Sequence, residues 1–401
     1  MRKCIACGGA LFDEPLMRLD SMPSSAQNIP DEAEVKADEG ISLELCQCSE
    51  CGLVQFDCEP VDYYRDVIRA GGFSTTMVNL RREQYRHLIE TYHLEGKRFI
   101  EVGCGRGEFL SVLTEFPVKA YGIEHKKELV QIAREQGLNV TEGFTEYGNG
   151  TIEGAAFDCF LSFNFLEHQP CPNTMLQAIY NSLSEGGMGL VTVPSLEYIL
   201  QYDGYYELIR DHIAYYTFES LRNLMENNGF EVLEEEMVNR DTISMIVGKA
   251  PEKRQENPGG RPYITGGHKV TRLNAAGLKK SREVISEEVN GLIDSLHGDG
   301  RTAAIWGASH QGFTLAATTK LGEKVAYIID SAPFKQGRFA PASHIKIVPP
   351  DHWKEEPVDA ILIVAPGYTD EIAGIIREKF VKKDGGRPEI LTLKSNHLER
   401  L

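Results

Sequence analysis

Four cysteines stand in two pairs with metal-ligand spacing. Cys4-Ile-Ala-Cys7-Gly-Gly opens the chain and Cys48-Ser-Glu-Cys51-Gly follows. Two C-x-x-C knuckles offer four thiolates for tetrahedral zinc, a closed structural set with no position left for chemistry. Cys4, Cys7, Cys48 and Cys51 are therefore the expected ligands of a structural zinc ion. Five of the nine cysteines fall within the first 51 residues, and the start Met-Arg-Lys-Cys lacks the apolar stretch of an export signal. In a reducing compartment such clustering points to metal rather than disulfides. Cys46 is too close to Cys48 to serve the knuckle and counts as a spare. Cys58 has no assigned role, and Cys159 and Cys171 are expected to be packing.

A second chemical stretch is Phe99-Ile-Glu-Val-Gly-Cys-Gly-Arg-Gly-Glu-Phe-Leu110. Apolar residues lead into Glu101; Gly103, Gly105 and Gly107 then alternate before the pattern turns helical. This reads as a buried strand, a tight glycine turn and a helix start, where backbone approaches a ligand closely and N–H groups lie unpaired. The strand Ala120-Tyr-Gly-Ile-Glu124 ends in a carboxylate about twenty residues on, where an acid suits the two hydroxyls of a ribose. Together, E-x-G-x-G-x-G and this acid resemble motif I and the ribose acid of class I S-adenosylmethionine (SAM) methyltransferases. The resemblance implies that Glu101, Gly103, Gly105, Gly107 and Glu124 hold SAM.

Three further positions suit the same cleft. Asn164 leaves the strand Asp158-Cys-Phe-Leu-Ser-Phe at its carboxyl end, where open α/β sheets bind ligands, and is placed to hold the methionine end of SAM. Phe144, after the third strand, is placed to cover the adenine, with a plain core phenylalanine as the alternative. In Tyr205-Tyr-Glu-Leu-Ile-Arg-Asp-His212-Ile-Ala-Tyr-Tyr216, His212 follows an acid among aromatics. It suits a general base whose pKa is adjusted by Asp211; the plain alternative is a histidine that only satisfies backbone carbonyls.

The elements that must position these groups follow from periodicity. Strands are expected over 98–102, 119–123, 157–162 and 188–193, alternating with helices, hence a parallel α/β sheet. Residues 230–248 read as an antiparallel hairpin closing it. A zinc-binding lobe is expected over 1–60, its knuckles joined by an extended loop through Ser21 and Pro30. A methyltransferase domain over 61–250 begins with a helical segment, 61–95, expected to lid the cleft, with a helix merely bridging two domains as the alternative. A Pro/Gly-rich linker and a helix occupy 251–300, and a second, smaller Rossmann-like domain fills 301–401.

The string Asp330-Ser-Ala-Pro-Phe-Lys335-Gln-Gly-Arg338-Phe-Ala-Pro-Ala-Ser-His344-Ile-Lys-Ile-Val-Pro-Pro350 resembles the D-x-x-P-x-K-Q-G-R-x-x-P-x-x-H-I-x-V-x-x-P signature of the sugar C-methyltransferase family. That family acts on nucleotide-linked deoxysugars, and the resemblance covers essentially the whole chain. It implies deprotonation beside a keto group, attack of the enolate carbon on the SAM methyl, and His212 as base. Two family tyrosines are replaced, by Ile209 and Phe73, and a family lysine by Gln311. Tyr205, Tyr206, Tyr215 or His310 are the neighbours that could take over the missing contacts, with Tyr206 and His310 expected to bind substrate beside Phe73. Lys335 and Arg338 are the expected partners of a substrate diphosphate, with a loop fixed by local salt bridges as the alternative.

The 401 residues carry a net charge of −17, which argues against nucleic acid as partner. No apolar run approaches the ~18 residues of a membrane span, so a cytoplasmic enzyme on a small molecule, monomeric or weakly homo-oligomeric, is expected. Two other readings stay open: O- or N-methylation of a small metabolite, and a non-catalytic zinc and SAM-fold binding protein.

Overall fold

The computed structural model describes residues 3–66, 74–145, 150–251, 270–365, 368–394 and 397–401. Phe73 and most of the expected linker lie outside these residues. Between the knuckles the chain is not merely an extended loop. β1 (Met17–Met22) alternates buried Met17 and Leu19 with exposed neighbours and pairs antiparallel with β2 (Ile41–Gln47), which pairs in turn with β3 (Val54–Phe56). Leu19, Leu43 and Leu45 are fully buried, so local apolar alternation outweighs the polar, proline-bearing stretch between.

α1 (Thr75–Tyr92) starts where the Ser74 hydroxyl accepts from Met77 N–H at 3.3 Å. Its buried face carries Val78, Arg81, Tyr85, Leu88 and Ile89 at three- and four-residue spacing. Then β4 (Arg98–Val102), α2 (Glu108–Leu113), β5 (Lys119–Glu124), α3 (Lys127–Glu135), β6 (Val140–Glu142), β7 (Phe157–Phe163), α4 (Pro172–Ser182) and β8 (Leu183–Pro194) follow in order. After α5 (Leu196–Gln201), β9 (Ala214–Tyr215) and α6 (Phe218–Asn227), the hairpin of β10 (Phe230–Val238) and β11 (Thr242–Lys249) closes the sheet as expected.

Strand order in this seven-stranded sheet is β10-β11-β8-β7-β4-β5-β6. It is parallel from β8 to β6, and β11 runs antiparallel to β8. The order reverses between β4 and β7, which opens a crevice at their carboxyl ends. β9 does not join this sheet. It pairs with β3 and completes a four-stranded sheet of order β1-β2-β3-β9.

α7 (Ala276–Gly298) leads into the last unit: β12 (Ala303–Trp306), α8 (His310–Thr318), α9 (Leu321–Lys324), β13 (Ile328–Ile329), β14 (Ile347–Val348), β15 (Ala360–Ile363), α10 (Thr369–Lys379), β16 (Glu389–Lys394) and β17 (His397–Arg400). Its sheet runs β14-β13-β12-β15-β16-β17, parallel except for the terminal β16–β17 pair. One buried apolar cluster, including Leu45, Ile213, Leu278 and Phe313, runs through all three units. No described helix is long and apolar enough to cross a membrane.

Candidate active site

The glycine turn sits at the switch point. Gly103 and Cys104 both donate to the Ile123 carbonyl, at 3.0 and 3.2 Å, binding the tip of β4 to that of β5. Gly103, Gly105 and Gly107 have φ of +70°, +59° and +84°, a region that side chains rarely enter. A side chain at Gly103 would also press on the Phe165 ring, and one at Gly107 on Leu138. Glu101 is fully buried on β4. Glu124, at the end of β5, accepts from Gly105 N–H at 3.0 Å and from Lys126 N–H at 2.9 Å. Burial pushes its carboxyl above the usual carboxylate range.

Phe144 faces Phe165 at 6.0 Å and Tyr64 at 6.2 Å between ring centroids. Asn164, at φ +48°, donates its backbone N–H to Thr192 O at 2.8 Å. Its Oδ1 accepts from Thr192 Oγ1 at 3.1 Å. Thr192 Oγ1 in turn accepts from Arg81 at 3.2 Å, and that guanidinium lies 3.8 Å from the centroid of Phe163. Arg81 is only 1% exposed. The residue types did not single it out, yet its spacing from Val78 and Tyr85 on α1 was the signal that it faces inward.

The chain leaving Asn164 reaches Glu167 and His168, both buried, and there meets the His212 segment. The His168 and His212 rings stand edge to face with centroids 4.8 Å apart. His168 Nδ1 lies 2.7 Å from the Asp211 backbone oxygen. Burial pushes His212 well below its ordinary 6.5, and the neighbouring His168 and His310 add to the shift. Burial lowers His168 as well. His168 is the site residue that the sequence reading missed.

Asp211 does not act on His212 as expected. Its carboxylate turns to the N-terminal lobe, accepting from the Tyr63 hydroxyl at 2.6 Å and from Ala26 N–H at 2.8 Å. Arg210 binds the Ser24 and Glu59 carbonyls at 3.0 and 3.1 Å, and Phe56 N–H donates to Ile213 O at 3.0 Å. The loop carrying His212 is thus clamped by the lobe, with β9 as its last strand.

Across the cleft, Glu207 accepts from Gln311 Nε2 at 2.8 Å and lies 3.3 Å from His310 Nε2. His310 shares a small crevice with Ile209, Asp211, Ala26 and Phe313. Tyr206 is buried with its ring 5.8 Å from that of Tyr205. The Tyr215 hydroxyl is engaged with the backbone of Ile209, at 2.8 and 3.1 Å, and that of Tyr205 with Thr318 at 3.2 Å.

Lys335 and Arg338 meet protein where substrate was expected. Lys335 Nζ donates to Ala308 O at 2.8 Å and to Asp330 at 3.2 Å; Arg338 donates to Ile29 O at 2.7 Å. His344 Nε2 lies 2.8 Å from the Asp38 carboxylate, and Phe339 N–H donates to Pro30 O. The signature loop therefore fastens the last unit to the N-terminal lobe through Arg338, Phe339 and His344, while Lys335 is held within its own unit.

The four knuckle cysteines converge. Cys4–Cys51 and Cys7–Cys48 sulfurs are 3.5 and 3.4 Å apart, near the roughly 3.8 Å between thiolates at about 2.3 Å from tetrahedral zinc. Backbone N–H groups of Gly9 and Glu50 point at Cys7 and Cys48, at 3.3 and 3.4 Å. Hydrogen bonding from Cys4 drives the Cys48 thiol down while the Cys51 thiol is driven up, the conflict that a bound dication relieves. The donor set fits zinc; Cys46 stays outside it.

The family described as a methyltransferase domain matches residues 77–235, and the C-methyltransferase C-terminal domain matches 271–388. The two matches, in this order along the chain, make it a SAM-dependent methyltransferase that carries a C-methyltransferase C-terminal domain. Among curated proteins it is 25% identical to the C-methyltransferase NovU of Streptomyces niveus, over 96% of this chain and 94% of that one. A ubiquinone biosynthesis O-methyltransferase of Nitrosococcus oceani is 33% identical over 23% of this chain and 42% of its own. Among solved structures, the PH0226 protein of Pyrococcus horikoshii aligns with TM-score 0.38 and 16% identity, covering 47% of this chain and 98% of that one.

Proposed function

We propose that the chain is a cytoplasmic C-methyltransferase acting on a nucleotide-linked ketosugar, with a structural zinc at Cys4, Cys7, Cys48 and Cys51. The full-length likeness to NovU and the C-methyltransferase C-terminal domain support carbon as the acceptor. Glu101, the three glycines and Glu124 would hold SAM, with Asn164 and Phe144 at its two ends. The cradle fits: Glu124 offers a carboxylate at the strand tip and the turn is open on its Cβ side at Gly105 except for Glu108. SAM, when bound, supplies an electrophilic methyl group.

The observation that carries the reading is the His212 ring standing edge to face with His168, centroids 4.8 Å apart, beyond the carboxyl end of β7, with burial lowering its pKa. A neutral imidazole accepts a proton from the carbon beside the keto group. The His168 ring buttresses His212. Holding the acceptor in line with the methyl donor supplies the rest of the acceleration.

A second reading has one observation in its favour. The hydroxyls of Tyr63, Tyr205 and Tyr215 are each engaged elsewhere, so no phenol among these three stands ready for an enolate. Transfer to oxygen or nitrogen needs none. Methyl transfer from labelled SAM to a panel of dTDP-, UDP- and GDP-sugars, with NMR of the product, separates the two. We expect a methyl on carbon of a ketosugar and a loss of roughly 10²–10⁴-fold in His212→Ala. Product on oxygen, or full activity in the variant, overturns the reading.

A further inference from the structure

Glu167, His168 and His212 bring one carboxylate and two imidazoles together, with ligand atoms all within 4.8 Å of one another. We propose that these side chains form a second metal site, separate from the four cysteines, for a divalent transition ion such as Zn²⁺ or Co²⁺, and that filling it silences His212 as a base.

The tautomer of His168 carries the argument. A backbone carbonyl only accepts, so the 2.7 Å contact with Asp211 O puts the hydrogen on Nδ1 and leaves the lone pair of the neutral ring on Nε2. That nitrogen stands 3.9 Å from Glu167 Oε1. Two acceptors face each other across a gap that a cation bridges. An Nδ1–H fixed by a carbonyl is also the outer-shell arrangement that orients metal-binding imidazoles, and Asp211 is itself held by Tyr63 and Ala26. His212, edge to face with His168, brings the third donor.

Ligands about 2.1 Å from a tetrahedral ion stand about 3.4 Å apart. The set must therefore close by up to about 1.4 Å through rotation about the Glu167 side chain and a tilt of the His212 ring. Two imidazoles with a carboxylate select zinc-like ions over Ca²⁺ and Mg²⁺, which take oxygen ligands. Three protein ligands leave at least one position open. Binding rests on this geometry alone. The consequence rests on the reading of His212 as base: a nitrogen lone pair donated to a metal is not available to a proton.

The test is a Co²⁺ titration of the full-length protein with its four-cysteine site loaded with zinc, followed by visible absorption and by methyl transfer to an accepted sugar. We expect one equivalent of cobalt with a nitrogen/oxygen-type spectrum and no thiolate charge-transfer band. Activity should fall with occupancy and return when the cobalt is removed by dialysis against metal-free buffer with the four-cysteine zinc retained. Glu167→Gln and His168→Asn, checked for folding by circular dichroism, should each weaken cobalt binding by at least about tenfold. No cobalt spectrum, or unchanged affinity in both variants, overturns the site. Cobalt bound with undiminished methyl transfer overturns the silencing and the base assignment with it, while leaving the site.

Discussion

At the scale of single residues, the His168–His212 pair decides how the site responds to pH. Burial is the main force lowering both rings, and His168 and His310 push His212 further. A depressed folded pKa means that the stabilisation is complete above the unfolded value and is lost as pH falls from there toward the folded value. The melting temperature should therefore decline as pH drops below about 6.5, where an unfolded histidine begins to charge. His168→Asn should flatten that decline, read by calorimetry across a pH series. An equal slope in the variant would show that the loss of stability comes from other groups. Methyl transfer should persist below the ordinary histidine range, since His212 stays neutral there.

At the scale of elements, the loop bearing His212 belongs more to the N-terminal lobe than to the methyltransferase sheet. β9 pairs with β3 and not with β8 or β11, and Asp211 and Arg210 point to residues 24–26, 59 and 63. The acid beside the candidate base is thus an anchor for the backbone rather than a partner for the ring. Tyr63→Phe deletes one hydrogen bond to a buried carboxylate, worth about 1–3 kcal/mol. We expect a lower melting temperature and a lower kcat with SAM affinity unchanged, because the glycine turn lies on other strands. A variant that lost SAM binding instead would show that Tyr63 acts through the cofactor cleft. Calorimetry and a SAM titration together distinguish the outcomes.

At the scale of the whole molecule, three units share one buried cluster, and the lobe bonds to both of the others, which also meet directly through Glu207 and Gln311. Toward the last unit it receives Arg338 and His344 through Ile29 and Asp38; toward the middle it holds the His212 loop. Metal in the knuckles should therefore reach the active site through the lobe. Stripping zinc with a chelator should speed amide exchange in residues 210–216 as well as around the knuckles, while the glycine turn still binds SAM. Exchange mass spectrometry with a parallel SAM titration measures this. Protection of 210–216 that survived zinc removal would uncouple the lobe from the site.

The sequence by itself determined the parts written in local pattern. Apolar runs and alternating glycines specify β4, its turn and Glu124 at the tip of β5, because strand, turn and helix start each depend on residues close together in the chain. The same holds for the β10–β11 hairpin and for the two C-x-x-C pairs, each written within four consecutive residues. Only the tertiary structure decided which way the charged side chains turned. Asp211 left its neighbour His212 for Tyr63, 148 positions away, and Arg338 reached Ile29 across 309. His168 came to His212 from another strand end, and Arg81 went inward to Thr192, 111 positions on. A buried charge such as Asp211 or Arg81 takes whichever partner the packing of distant segments delivers, since leaving it unpaired costs more than any local preference supplies.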